Sequence, residues 1–114
     1  MTNNHINYIE FKARDLKVIK KFYSECFGWN FTDYGPDYTS FNESGVYGGF
    51  ELSEAPVTNG ALVILYHSDL ETIEATIASS GGTILKPIFS FPGGRRFHFS
   101  DPSGNELAVW SDKT

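Results

Sequence analysis

Asp15-Leu-Lys-Val-Ile-Lys-Lys-Phe-Tyr-Ser-Glu-Cys-Phe-Gly28 and Asp69-Leu-Glu-Thr-Ile-Glu-Ala-Thr-Ile-Ala-Ser-Ser-Gly-Gly82 are two versions of one phrase. In each, an Asp-Leu pair opens a helical stripe, carried by Ile19 and Tyr23 in the first and by Ile73 and Ile77 in the second, and glycine closes it. The spacing between the copies is the same at the Asp-Leu pair, at Ile, at Tyr/Ile and at Gly. Two half-domains built alike, each too small to bury its own apolar face, have to pack together or against a partner. The concave space between paired sheets is then the natural place for a ligand.

Outward from these helices the chain reads as strands. Asn7 to Ala13 alternates, with Ile9, Phe11 and Ala13 against Tyr8, Glu10 and Lys12, the period of a half-buried strand. Short strands follow near Asn30 to Tyr34, Tyr38 to Asn42 and Tyr47 to Ser53, separated by the turn signals Gly35-Pro36-Asp37 and Glu43-Ser44-Gly45. Glu54 to Gly60 lacks periodicity and reads as a connector. Ala61 to His67 restarts the pattern. After the second helix come Thr83 to Ser90, a turn at Phe91-Pro92-Gly93-Gly94, Arg95 to Ser100, a turn at Asp101-Pro-Ser-Gly104, and Asn105 to Ser111. Each half is strand, helix, strand, strand, strand.

The 114 residues fit one domain with one core, with module one at about 6–53 and module two at about 61–111. A net charge of −5, with no basic run longer than Lys20-Lys21 or Arg95-Arg96, excludes the electrostatic footprint of a nucleic-acid or anionic-lipid binder. No apolar run is long enough to span a membrane and the first residues are polar, so a cytoplasmic protein is expected. Cys26 stands alone, in keeping with a reducing compartment, and reads as a small buried core residue.

With these elements in place, the chain resembles the vicinal oxygen chelate superfamily, which holds glyoxalase I, bleomycin resistance proteins and extradiol dioxygenases. The residues that carry the likeness are the Asp-Leu helix openings, Phe22-Tyr23 before Phe27-Gly28-Trp29, Gly81-Gly82, and above all Phe99-Ser-Asp-Pro-Ser-Gly-Asn-Glu-Leu-Ala-Val-Trp110. It covers about Ile6 to Ser111 and is nearest to small single-domain proteins related to lactoylglutathione lyase. The resemblance implies an α+β fold of two βαβββ modules that form a curved mixed sheet around a cleft, with the helices outside. It also implies a homodimer, whose twofold interface would cover open sheet edges. In metal-dependent relatives four ligands come from the first and last strands of the modules. Carried onto this chain, those positions fall on Tyr8, Glu51, Val63 and Ala108, of which only Glu51 binds a divalent metal well. No metal or other cofactor is therefore expected. A site rebuilt from His67 and His98 with Glu51 or Glu106 is the alternative; His5, near the N-terminus, is the weakest of the three histidines.

Strand parity, set by taking Ile9, Phe11, Phe50, Leu52, Leu62, Ile64, Leu107 and Val109 as helix-facing, turns Tyr8, Glu10, Lys12, Glu51, Val63, Leu65, His67, Glu106, Ala108 and Trp110 inward. Such a cleft suits a small organic molecule with an apolar body and a polar or cationic handle. Glu51 among apolar neighbours would act as general acid or base; as an ion-paired strand carboxylate, with Lys12 or Arg96 as partner, it would not. Phe97 and Phe99 pack on the core, which sends Arg96 and His98 to the other face. If that face is the cleft, Arg96 clamps an anion and His98 moves a proton; if it is the outer surface, both only solubilise. Two functions are thus expected: a metal-independent lyase- or isomerase-like enzyme, or a protein that sequesters a drug or metabolite.

Overall fold

The computed structural model describes residues 1–3 and 6–114, so His5 lies outside the described residues. Its elements are β1 (Tyr8–Ala13), α1 (Leu16–Phe27), β2 (Asn30–Asp33), β3 (Tyr38–Asn42), β4 (Tyr47–Leu52), β5 (Val63–Tyr66), α2 (Leu70–Ser79), β6 (Thr83–Phe91), β7 (Gly94–Ser100) and β8 (Glu106–Ser111). The chain divides into two compact units, Met1–Val57 and Thr58–Thr114, each of them βαβββ. This is the α+β arrangement of two βαβββ modules that the resemblance implies, with the strands in two mixed four-stranded sheets.

In the first unit the strand order is β1-β4-β3-β2, with β1 parallel to β4 and the remaining pairs antiparallel. The Asp15 carboxylate accepts from the Val18 backbone N–H at 3.1 Å and so starts α1, while Gly28, at φ +72°, ends it in the left-handed conformation that favours glycine. The buried stripe Ile19, Phe22 and Tyr23 meets the sheet face of Phe11, Phe41 and Phe50. Aromatic rings fill this core: Tyr23 stacks on Trp29 at 4.6 Å and Trp29 on Phe41 at 4.5 Å. Trp29 is therefore a core residue.

The second unit repeats the order as β5-β8-β7-β6, with β5 parallel to β8. Asp69 caps α2 through the Thr72 backbone N–H at 3.2 Å, and Leu70, Ile73 and Ile77 pack with Phe97, Phe99, Leu107 and Val109. Pro87 sits within β6, an edge strand where a missing N–H is tolerated, next to register shifts. The Asp101 turn is built on one buried carboxylate: it accepts the N–H groups of Ser103 at 2.8 Å and Asn105 at 3.0 Å, and the Asn105 side-chain amide at 2.9 Å.

On β5 the expected parity is reversed. Val63 pairs with Leu107 and Leu65 with Val109, so Val63 and Leu65 share the α2-facing side, while Ile64 and Tyr66 stand beside Ala108 and Trp110 on the other face. Four consecutive apolar residues, Leu62 to Leu65, give a strand no polar face by which to choose its side, and the backbone register with β8 makes the choice.

Candidate functional site

Each sheet has one face against its helix and one opposite it, and the polar chemistry gathers on the opposite faces. In the first unit the pairing register places Tyr8, Glu10 and Lys12 of β1, Tyr38 and Ser40 of β3, and Tyr47, Gly49 and Glu51 of β4 on that face. The Tyr8 and Tyr38 hydroxyls lie 2.5 Å apart. They meet directly over Gly49, where an added Cβ would stand 2.3 Å from the Tyr38 hydroxyl oxygen and 2.7 Å from that of Tyr8. Burial, followed by the hydrogen bonds to Tyr8 and Glu10, holds the Tyr38 hydroxyl well above the ordinary phenol range, so it stays a neutral donor. Lys12 donates to Glu51 and lies 3.8 Å from Glu10; the bond to Glu51 raises the ammonium above its usual value. Glu51 is thus an ion-paired, half-exposed strand carboxylate, with Lys12 rather than Arg96 as its partner, and not a carboxyl among apolar walls.

In the second unit Arg96 and His98 of β7 face the same way as Ile64, Tyr66, Glu106, Ala108 and Trp110, with Phe89 of β6 paired to Arg96. Ile64, Phe91, Arg96 and Trp110 line a recess of about 330 Å³. The Arg96 guanidinium lies 5.4 Å from the Phe89 ring centre and 5.7 Å from that of Phe91, in cation–π range. His98 Nδ1 is 3.0 Å from a Glu106 carboxylate oxygen. Arg96 Nε and His98 Nε2 are buried without a hydrogen-bond partner among the described residues. Tyr66 packs edge-on against Trp110 at 5.4 Å and donates to Asp112 at 2.7 Å.

The structure therefore brings Tyr8, Glu10 and Glu51 together on one sheet, and Arg96, His98, Ala108 and Trp110 together on the other. Val63 and Leu65 stand on the α2 side and do not join them. His67 lies beyond the end of β5; its Nδ1 accepts the Asp69 backbone N–H at 2.9 Å, a link into the start of α2. Sequence reasoning missed Tyr38, Gly49, Ile64, Tyr66 and Phe91. For Ile64 and Tyr66 a signal existed: the spacing that separates Asp15 from Asp69 carries the helix-facing Ile9 and Phe11 onto Val63 and Leu65. Gly49 had none, because its role depends on two tyrosines from neighbouring strands reaching across it.

These two sheets and their paired helices define the class. The chain belongs to the glyoxalase/bleomycin resistance protein/dioxygenase superfamily, whose family profile matches residues 5–109. The Mycobacterium bovis protein "Putative glyoxylase CFP32" is 23% identical over 118 residues, which cover 91% of this chain and 44% of that protein, so the chain spans under half of that relative's length. Among solved structures, a glyoxalase/bleomycin resistance protein/dioxygenase family enzyme from Burkholderia phytofirmans PsJN superposes with a TM-score of 0.81 at 15% identity, covering 92% of this chain and 96% of that one. TnmS3, an antibiotic binding protein from Streptomyces sp. CB03234, does so with a TM-score of 0.72 at 21% identity, covering 97% and 98%.

The divalent metal of metal-dependent relatives does not fit the residues found here. Of the family positions, Val63 faces α2, Ala108 has no donor atom, and Glu51 is engaged by the Lys12 ammonium, which brings its own positive charge to that face. His67 and His98 are bonded to different partners, and no group of three or more metal-ligating side chains occurs among the described residues.

Proposed function

We propose that this protein binds a small organic molecule with an apolar, aromatic-sized body and an anionic handle in the recess of the second unit, without using a metal. The observation that carries this reading is Arg96. Its guanidinium lies against aromatic rings, its Nε is buried and unpartnered, and no carboxylate pairs with it among the described residues, although the neighbouring Arg95 is bonded to Glu71 at 2.7 Å. A half-buried guanidinium lacking a counter-charge favours a carboxylate or phosphate supplied by a ligand, and Ile64, Phe91 and Trp110 provide apolar contact for the rest of it. This local positive charge outweighs the net acidity of the chain, which by itself points to a cationic handle. The antibiotic-binding relative supports sequestration as the outcome.

The test is thermal shift and Trp fluorescence with 1-naphthoate, 1-naphthylamine and naphthalene. Naphthoate raises the melting temperature saturably by mass action, and Arg96→Met removes the rise. Equal responses to the amine and the acid, or an unchanged response in Arg96→Met, sink the anionic handle. A chelator leaves naphthoate affinity unchanged, whereas one equivalent of bound metal in the purified protein would overturn the metal-free reading.

A lyase- or isomerase-type activity is the second reading. It is favoured by the connected polar chain of Tyr8, Tyr38, Glu10, Lys12 and Glu51 on one sheet face, with Glu51 as acid or base. Glu51→Gln separates the two: retained ligand affinity with lost turnover supports the enzyme, and no change in either removes Glu51 from the mechanism. The lone Cys26 supports a cytoplasmic setting, and the open edges of β1, β2, β5 and β6 within their own sheets support a homodimer.

A further inference from the structure

The first unit carries a second recess, of about 430 Å³, on the sheet face that bears Tyr8. It is bordered by the tyrosines Tyr8, Tyr34 and Tyr47, with Thr32, Ser40 and Asn42 between them and Gly48 in its lining. Tyr47 on β4 and Tyr34 just beyond the end of β2 are 67% and 66% exposed, a large aromatic surface left open at one recess. No described residue that lines the recess carries a formal charge. It is thus chemically unlike the Arg96 recess.

The Tyr8 and Tyr38 hydroxyls share one hydrogen bond of 2.5 Å in which either is able to donate. In either direction the Tyr8 oxygen keeps a lone pair able to accept from the O–H groups of a ligand, and the Asn42, Thr32 and Ser40 side chains offer groups able to accept from or donate to its other polar atoms. Exposed phenol rings suit a partner with a flat face of C–H bonds.

From this geometry we infer that the Tyr8, Tyr34 and Tyr47 recess is a binding site for an uncharged polyhydroxylated ring, a free sugar or a glycosyl group. Its ring stacks on exposed tyrosine and its hydroxyls donate to Tyr8 and exchange hydrogen bonds with Asn42. The site is independent of the anion-binding reading of the second unit.

The experiment titrates methyl β-glucoside into ¹⁵N-labelled protein and follows the backbone amides, with glucosamine and glucuronate as charged counterparts. Saturable shifts confined to residues around Gly48, Asn42 and Tyr47 are expected, with a Kd on the order of millimolar. Tyr47→Ala, at an exposed position that leaves the fold intact, weakens binding roughly tenfold, and Asn42→Ala weakens it as a second check. Arg96→Met leaves the titration unchanged, so failure of the site in the second unit does not touch this one. Absent or unsaturable shifts, tighter binding of either charged sugar, or full affinity in both Tyr47→Ala and Asn42→Ala would overturn the inference.

Discussion

Two adjacent glycines show how much one methyl group matters in this chain, and how differently. A Cβ on Gly48 would stand 2.2 Å from the Ile9 backbone oxygen and 2.3 Å from the Phe41 ring, inside a packed core that cannot move aside. Gly48→Ala is expected to destabilise by about 3 kcal/mol, read as a lower urea midpoint. A Cβ on Gly49 meets only the far ends of Tyr8 and Tyr38, which can swing. Gly49→Ala should therefore leave stability within about 1 kcal/mol of the parent while separating the tyrosine pair, and loss of glucoside binding with the fold intact would report it. Asp101→Ala removes the acceptor of two backbone N–H groups in a buried turn and is expected to cost about 3 kcal/mol. An unchanged melting temperature would show that water takes over those bonds. Asp101 was legible as part of a turn in the Asp-Pro-Ser-Gly-Asn run. Gly48 and Gly49 were not, because what they clear space for comes from other strands.

Between residues, the helices were read almost to their ends. Asp15, Gly28 and Asp69 act locally, on backbone groups within a few positions, and local rules decide them. Asp15→Ala is expected to cost about 1 kcal/mol, seen as a drop in the melting temperature. Strand β1 was also legible, since its apolar and polar residues alternate and the face with Ile9 and Phe11 can only point at a core. Strand β5 was not: with apolar residues on both sides it depends on its partner β8 for orientation. The observed register makes a direct prediction. Leu65→Ala, on the α2 side, costs about 2 kcal/mol, whereas Ile64→Ala, on the open face, costs under about 1 kcal/mol and instead weakens naphthoate binding. The reverse order in urea unfolding would restore the opposite parity.

For the protein as a whole, charge linkage sets the pH range of stability. Asp33 is lowered by its bond from Lys20, Asp69 by Thr72, Glu71 by Arg95 and Asp112 by Tyr66. Carboxyls lowered in the folded state stabilise it above the ordinary carboxylate pKa, about 4, and that contribution is lost as the pH falls through their folded values. On the alkaline side, Tyr38 is raised chiefly by burial, and Lys12 by its bond to Glu51. Groups raised in the folded state contribute below the unfolded pKa, about 10, and lose that contribution as the pH rises beyond it. Urea midpoints should thus fall below about pH 4 and above about pH 10, and Tyr38→Phe should flatten only the alkaline limb; a Tyr38→Phe profile that matches the parent would show the phenol is not linked to folding. Light scattering is expected to return twice the 12.7 kDa chain mass, and a single-chain mass would contradict the homodimer. What the amino-acid sequence determined alone was the repeat and with it the order of elements and the helix caps, because caps, turns and hydrophobic periodicity act over a few residues. Tertiary structure alone decided which face of β5 looks outward, which base partners Glu51, and that Tyr8 and Tyr38 meet over Gly49. Each of those depends on register between strands distant in the chain, where a shift of one residue exchanges the two faces of a sheet.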